Sequence, residues 1–219
     1  GQAHHARWLI ATLASVSLVV ARNHLLLLVL GWMVTSAAMH QLLLFYRERP
    51  AAVIAAHKKF ISARLADALM LLALFLLFAS LGTLRIDELA SRAVQLGWPL
   101  AVQASAILVA LAALLKCAQL PFNGWLIQVM EAPTPVSALL HAGVVNLGGF
   151  VLLRLAPLID ASPAAQGLLV TIGTASAVLA ALVATTRISI KVSLAWSTCA
   201  QMGFMLVQCG LGLWEMALL

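Results

Sequence analysis

The chain has 219 residues, 63% of them hydrophobic and 9% charged, with a formal net charge of +6. A soluble domain carries about 25% charged residues, so this composition excludes an ordinary soluble enzyme and describes a membrane protein. The basic excess is then a matter of loop topology before it is a nucleic-acid footprint, because Lys and Arg gather in cytoplasmic loops.

Apolar segments follow one another with short breaks, at about 8–21, 24–46, 60–83, 98–131, 134–156, 164–186 and 190–212. A spanning helix needs about 20 apolar residues at 1.5 Å rise each. The alternating pattern of a membrane barrel strand is absent, so the predicted fold class is an all-α, multi-pass integral membrane protein. The chain starts at Gly1 and ends on LWEMALL, which reads as the start of another apolar run, so a fragment of a longer membrane protein is expected. Arg47, Arg49, His57, Lys58 and Lys59 cluster in one predicted loop and Arg187 and Lys191 in another on the same side, with Asp87, Glu88, Asp160 and Glu215 opposite. The positive-inside rule assigns the two basic loops to the cytoplasm. Arg85 and Arg92 run against this, with two acids between them.

The fourth segment, 98–131, is too long for one straight crossing: as a continuous helix it would run to about 50 Å, against roughly 30 Å of hydrocarbon. Pro121, Asn123 and Gly124 sit inside it. A proline removes a helix hydrogen bond and clashes with the preceding turn, which predicts a broken helix with halves near 98–118 and 122–131. The other reading is a loop between a membrane helix and an interfacial one. Broken helices line ion and substrate sites in transporters, where protein or water covers the freed backbone. Pro133 and Pro135 mark the next interruption, after Glu131. Further on, Gly173, Ala177, Ala181 and Thr185 predict a small-residue ridge for close helix packing.

Titratable groups fall inside the apolar runs. Lys116 follows ILVALAALL. A lone charge at the bilayer centre costs at least about 2.5–3.5 kcal/mol, and an ionisable residue there is a functional-site candidate suited to a proton relay. The alternative is a lysine snorkelling to the interface. His141 sits about seven residues into a helix that Thr134 can cap and Pro135 can start, with Ser137 one turn before it. It reads as a packing residue or as a relay group. Arg64 and Asp67, three apart, read as a helix-end ion pair or as part of a relay. His40 is the titratable side chain well inside the run that follows Asn23. Cys117, Cys199 and Cys209 lack Cys-x-x-Cys spacing and read as small buried residues, so neither zinc nor a redox cofactor is expected in this chain.

Residues 116–121 (KCAQLP), Trp125-Leu126, residues 132–139 (APTPVSAL) and His141-Ala142 resemble, in order, the antiporter-like membrane subunits of respiratory complex I (NuoL) and of Mrp cation/proton antiporters. Lys59-Phe60 with Arg64 and Asp67 is similar to that family's Lys-Ala-Phe and Asn-Arg-x-Gly-Asp stretch. Ile190-Lys191, residues 194–198 (LAWST) and 201–203 (QMG) are similar to its Ile-Lys-x-x-Leu-Ala-Tyr-Ser-Thr-x-x-Gln-x-Gly stretch. The resemblance implies two inverted five-helix repeats, each with a broken helix. The chain would then be one transmembrane domain fragment, with about 8–156 the first repeat and about 164–219 the start of the second. It implies a buried proton path through Lys116 and His141. The candidates for that path are Lys116, His141, His40, Asp67, Arg64, Ser137 and Lys191, and those for the helix breaks are Pro121, Gly124, Pro133 and Pro135. One departure stands out. Complex I members carry a glutamate after the corresponding tryptophan, paired with the broken-helix lysine, whereas here Trp32 is followed by Met33.

Within the family, residues 130–137 (MEAPTPVS), 139–146 (LLHAGVVN) and Lys58-Lys59-Phe60 are most similar to the DabB branch, the membrane subunits of two-part inorganic carbon uptake complexes. Their DabA partner resembles a zinc-dependent carbonic anhydrase. This implies a transporter subunit of the bacterial inner membrane, not an enzyme. H+ or Na+ movement through it would energise CO2 or bicarbonate uptake, with zinc in the DabA-like partner. A proton-pumping subunit of an NADH:quinone oxidoreductase is the alternative.

Overall fold

The computed structural model describes residues 2–44, 48, 50–129 and 134–218, and it is built of helices. Helices α1 (Gln2–Ala21) and α2 (Leu25–Leu43) form an antiparallel pair joined by a three-residue turn. Thr35 Oγ1 on α2 donates to Ser15 Oγ on α1 at 2.9 Å. Helix α3 (Pro50–Leu81) has 32 residues, about 48 Å at the helical rise.

The start of α3 corrects the predicted segment 60–83 and the predicted loop 47–59. Proline is tolerated in the first turn of a helix, where its missing N–H has no partner to lose, and AAVIAA at 51–56 carries the helix forward. His57, Lys58 and Lys59 therefore stand on a helix. The first two are exposed and Lys59 is buried. Arg47 and Arg49 lie outside the described residues.

After α3 the chain forms a short amphipathic helix, α4 (Ile86–Gln95), with Leu89 and Ala93 buried. Asp87 and Glu88 occupy its first turn and Arg92 its last, the arrangement that suits a helix dipole. Arg85 pairs with Asp87 at 2.9 Å and with Glu88 at 3.2 Å. Its hydrogen bond to Asp87 holds that exposed carboxyl below the usual carboxylate range. The turn between α1 and α2 meets the start of α4, through Leu25 N–H on Leu84 O at 2.7 Å and Ile86 N–H on Asn23 O at 3.2 Å. Arg154 Nη2 donates to Arg22 O at 2.9 Å at the same end. Of the two arginines that run against the charge rule, Arg85 thus pairs with the acids, and Arg92 stands at the other end of the same helix.

Helix α5 (Leu100–Lys116) ends where the sequence predicts a break, and the second half resumes as α6 (Gly124–Gln128). Pro121 lies in the gap, and Gly124 is the first residue of the second half. The next helix is interrupted too. Helix α7 (Thr134–Leu139) runs into a π-helical turn, Leu140–Val144, and then into α8 (Leu147–Arg154). Pro135 is the second residue of α7 and opens it instead of breaking it; Pro133 and Glu131 lie outside the described residues. Short α9 (Ala156–Asp160), long α10 (Pro163–Thr185) and α11 (Ile190–Gly210), and α12 (Trp214–Leu218) follow.

Five stretches among the described residues are long and apolar enough to cross a membrane: Leu25–Leu43, Pro50–Leu81, Thr134–Arg154, Pro163–Thr185 and Ile190–Gly210. Two more apolar helices, Ala6–Ala21 and Leu100–Lys116, are shorter. Large apolar side chains such as Ile61, Phe75 and Leu182 face outward, as lipid contact requires. The ridge on α10 is rotated from its predicted line. Gly173, Ser176, Ala177 and Ala180 are buried, whereas Ala181 and Thr185 are exposed. Steps of four residues turn about 400°, so a four-residue series drifts off the contact face that steps of three and four together follow. The close approach is at Gly173 and Gly203: a Cβ on Gly203 would stand 2.8 Å from both Gly173 O and Ala177 N.

Candidate functional site

The helix break is the scaffold of the site. Lys116 closes α5, and Ala118 two residues later takes a left-handed conformation with φ 51°. Gln119 N–H donates to Leu114 O at 3.0 Å and Ala118 N–H to Leu115 O at 3.3 Å, the paired bonds of a Schellman stop. Backbone polar groups beyond it are deep in the protein and must be paired. Helices α10 and α11 supply the partners. Ser176 Oγ accepts from Leu120 N–H at 3.0 Å, and Cys199 Sγ donates to Ala118 O at 3.3 Å. Gln119 Nε2 donates to Cys117 O at 2.9 Å and to Cys199 O at 3.3 Å. Two of the three cysteines are thus thiol donors at the break, since Cys117 Sγ also donates to Val145 O at 3.3 Å.

Glycine brings α8 up to the break. A Cβ on Gly148 would lie 2.5 Å from Cys117 Sγ and 2.9 Å from Ala113 O, so the close crossing at the end of α5 needs a residue without a side chain.

Trp32, Ser36 and His40 recur every four residues on α2 and share one face. That face meets α3 and the end of α5. Lys116 is 4% exposed. Its Nζ donates to Ser36 Oγ, approaches Trp32 O at 3.5 Å and lies 4.3 Å from the centroid of the Trp32 ring. Lys59, 3% exposed, donates from Nζ to Ser36 O at 2.8 Å. Two buried lysines from different helices therefore meet on one serine. Ser36 Oγ itself donates to Trp32 O at 3.2 Å.

The acid of the site is about two turns further along α3 than Lys59. Asp67 is buried at 2% exposure and pairs with Arg64 at 2.6 Å. The Arg64 guanidinium carbon stands 5.1 Å from the centre of the Phe60 ring. His40 packs on the same ring at 4.6 Å and meets the exposed His57 edge-on at 5.7 Å. Met33, in the register of the missing glutamate, is partly buried.

His141 lies in the π-helical turn and not in a regular helix. The turn has a local cause. Asn146 Nδ2 donates to Ala142 O at 3.3 Å, taking the carbonyl its own N–H would use in an α-helix, and Val145 N–H reaches back to Leu140 O at 3.1 Å. Such turns occur often at functional sites. Both ring nitrogens of His141 are buried without a partner among the described residues. A small cavity of about 10 Å³ is lined by Lys59, Ser62, Lys116, Trp125 and Val144, the last of these three residues beyond His141.

The structure thus brings Lys116 together with Lys59, Ser36 and Trp32, with the Arg64–Asp67 pair and His40 along the same stretch of α3. Ser137 is buried on α7. Lys191 is exposed at the start of α11, and no described contact joins it to this group. Lys59 and Ser36 are the residues that sequence reasoning missed. The signal for Lys59 is periodic: Ala52, Ala55, Ala56, Lys59, Ala63, Ala66 and Met70 form one buried face once the helix is started at Pro50. Ser36 shows only as the residue one turn after Trp32.

An ammonium held by a hydroxyl and an aromatic face is stabilised without being neutralised. A proton can leave such a cation without breaking an ion pair. The arrangement suits a residue that changes its protonation state in place.

Residues 22–219 match the family described as NADH:quinone oxidoreductase/Mrp antiporter, TM. The chain is 54% identical over 217 residues to a probable inorganic carbon transporter subunit DabB from Hydrogenovibrio crunogenus, covering 98% of this chain and 42% of that protein. It is 37% identical over 207 residues to an NADH-quinone oxidoreductase subunit L from Mycobacterium tuberculosis, covering 91% of this chain and 32% of that protein. In three dimensions it superposes on a chain of the Mrp complex from Dietzia sp. DQ12-45-1b with a TM-score of 0.88 at 32% identity, covering 94% of this chain and 23% of that one. The chain therefore spans about two fifths of the length of the DabB relative. With a match over nearly its whole length, this chain belongs to the transmembrane family of NADH:quinone oxidoreductases and Mrp antiporters.

Proposed function

We propose that the chain is the ion-translocating part of a membrane subunit that energises inorganic carbon uptake, with H+ or Na+ as the ion. The observation that carries this is Lys116, an ammonium buried at a helix break and held by Ser36 and the Trp32 ring. Helix breaks that pair their backbone with neighbouring helices are the usual frame of transporter sites. The similarity to DabB supports carbon uptake over redox-driven pumping, as does Met33 in place of an acid beside Trp32. The partner is then a DabA-like, zinc-bearing subunit, and this chain holds no zinc of its own. The setting is a bacterial inner membrane. Helices α1 to α8 make up the first of two inverted repeats, and α10 to α12 open the second. His141, Ser137 and Lys191 continue the ion path from Lys116.

The second reading is a proton-pumping subunit of an NADH:quinone oxidoreductase, supported by the 37% identity to subunit L. Copurification separates the two. A zinc-containing, carbonic-anhydrase-like partner supports carbon uptake, and redox subunits support the alternative. Lys116→Ala in the full-length protein should abolish growth rescue of a strain that depends on CO2 uptake, at unchanged protein level by immunoblot. Full rescue would reject Lys116 as an ion-path residue.

A further inference from the structure

The Lys116 site contains a second amine. Lys59 comes from α3 and Lys116 from α5, and both donate to Ser36 of α2, one to its carbonyl and one to its hydroxyl. Both also line the cavity of about 10 Å³, near the smallest size that admits one water.

Charge balance decides what two such amines can do. The charged and titratable groups around them are His40 on α2, Arg64 and Asp67 on α3, and the Cys117 thiol next to Lys116. Asp67 is already engaged by Arg64 at 2.6 Å. No other described Asp or Glu is buried. Two full ammonium groups on one serine would repel each other with no free anion to hold them. Two neutral amines would leave the Trp32 face and the acceptors on Ser36 without the cation they are arranged around. One proton shared between the two amines satisfies the site.

We propose that Lys59 and Lys116 form a proton-exchange pair, with Ser36 as the residue that positions both. In the exchange, one N–H bond of the Lys116 ammonium breaks and the proton bonds to the lone pair of the neutral Lys59 amine, directly or through one water in the shared cavity. The reverse step restores the first state. Nothing is oxidised or reduced, and total charge is unchanged. The charge moves from α5 to α3. This assignment rests on the reading of Lys116 as an ion-path residue and adds to it a specific partner.

The test uses the full-length protein with its partner in proteoliposomes, reading H+ flux driven by an imposed pH gradient and normalised to assembled complex. Lys59→Arg keeps a cation that does not deprotonate in proteins, and it should lower flux at least about tenfold. Lys59→Met removes the amine and should do the same. Ser36→Ala removes the hydroxyl but keeps the carbonyl. It should move the midpoint of the flux–pH profile by about one unit, the scale on which interacting sites couple, whereas a purely structural serine would scale flux equally at every pH. Flux in Lys59→Arg and Lys59→Met equal to the parent, with the Ser36→Ala midpoint unmoved, overturns the pair while leaving Lys116 in place. Parent-level flux in Lys116→Ala instead overturns the reading beneath it.

Discussion

Lys116→Met tests whether the lysine is there for function or for stability. Methionine keeps most of the volume, so no large cavity forms. The substitution removes a charge-assisted hydrogen bond to Ser36, worth about 1.5–3 kcal/mol, and a desolvated cation–π contact over Trp32, worth about 2 kcal/mol. The 3.5 Å approach to Trp32 O adds little at that distance. Against these stands the cost of keeping an ammonium buried, several kcal/mol even after relaxation. Ser36 Oγ is not orphaned, because it still donates to Trp32 O at 3.2 Å. The two sides are of similar size, so the sum is close to neutral. The expected result is a nearly unchanged thermal unfolding midpoint for the purified complex in detergent, with ion flux lost in proteoliposomes. A variant destabilised by more than about 2 kcal/mol would show that the lysine's contacts outweigh its burial, and the site would then be structural.

Two further outcomes follow from the geometry. Gly203→Ala places a methyl 2.8 Å from the backbone of α10, and forcing α10 and α11 apart should cost about 1–3 kcal/mol, seen as a lower unfolding midpoint; an unchanged midpoint would refute the close approach. His40→Gln keeps a hydrogen-bonding side chain but removes the titration of a ring packed between Phe60 and the exposed His57, and it should flatten the pH dependence of flux between about pH 5 and 8; an unaltered profile would remove His40 from the path.

What the sequence made legible, and what it hid, follows from which signals are local. The break after Lys116 was readable because proline, asparagine and glycine inside an over-long apolar run admit few other structures. The partners that make the break tolerable, Ser176 and Cys199, come from helices more than fifty residues away and carry no local mark. Lys59 was hidden because three consecutive basic or imidazole residues, His57, Lys58 and Lys59, look like the end of a membrane segment. Only the helical register that begins at Pro50 separates the buried third from its exposed neighbours. The π-helical turn under His141 depends on one side chain, Asn146, competing for one carbonyl. Helix α4 is short and carries charge at both ends, so a reading tuned to long apolar runs passes over it.

The chemistry of the site turns on where the negative charge sits. A carboxylate directly on the Lys116 ammonium would hold the proton there, because an adjacent opposite charge favours the charged form. In this chain that place is taken by neutral groups, the Trp32 ring and the Ser36 hydroxyl. The buried carboxylate is Asp67, already bound to Arg64. Arginine does not give up its proton in proteins, so the Arg64–Asp67 pair acts as a fixed dipole beside a lysine whose charge is free to change. The second lysine gives that proton a place to go without crossing to an acid. A site made of two amines, one aromatic face and one fixed ion pair therefore separates two tasks that a glutamate–lysine pair combines. In the proposed exchange, the ion pair sets the local field and the amines carry the proton.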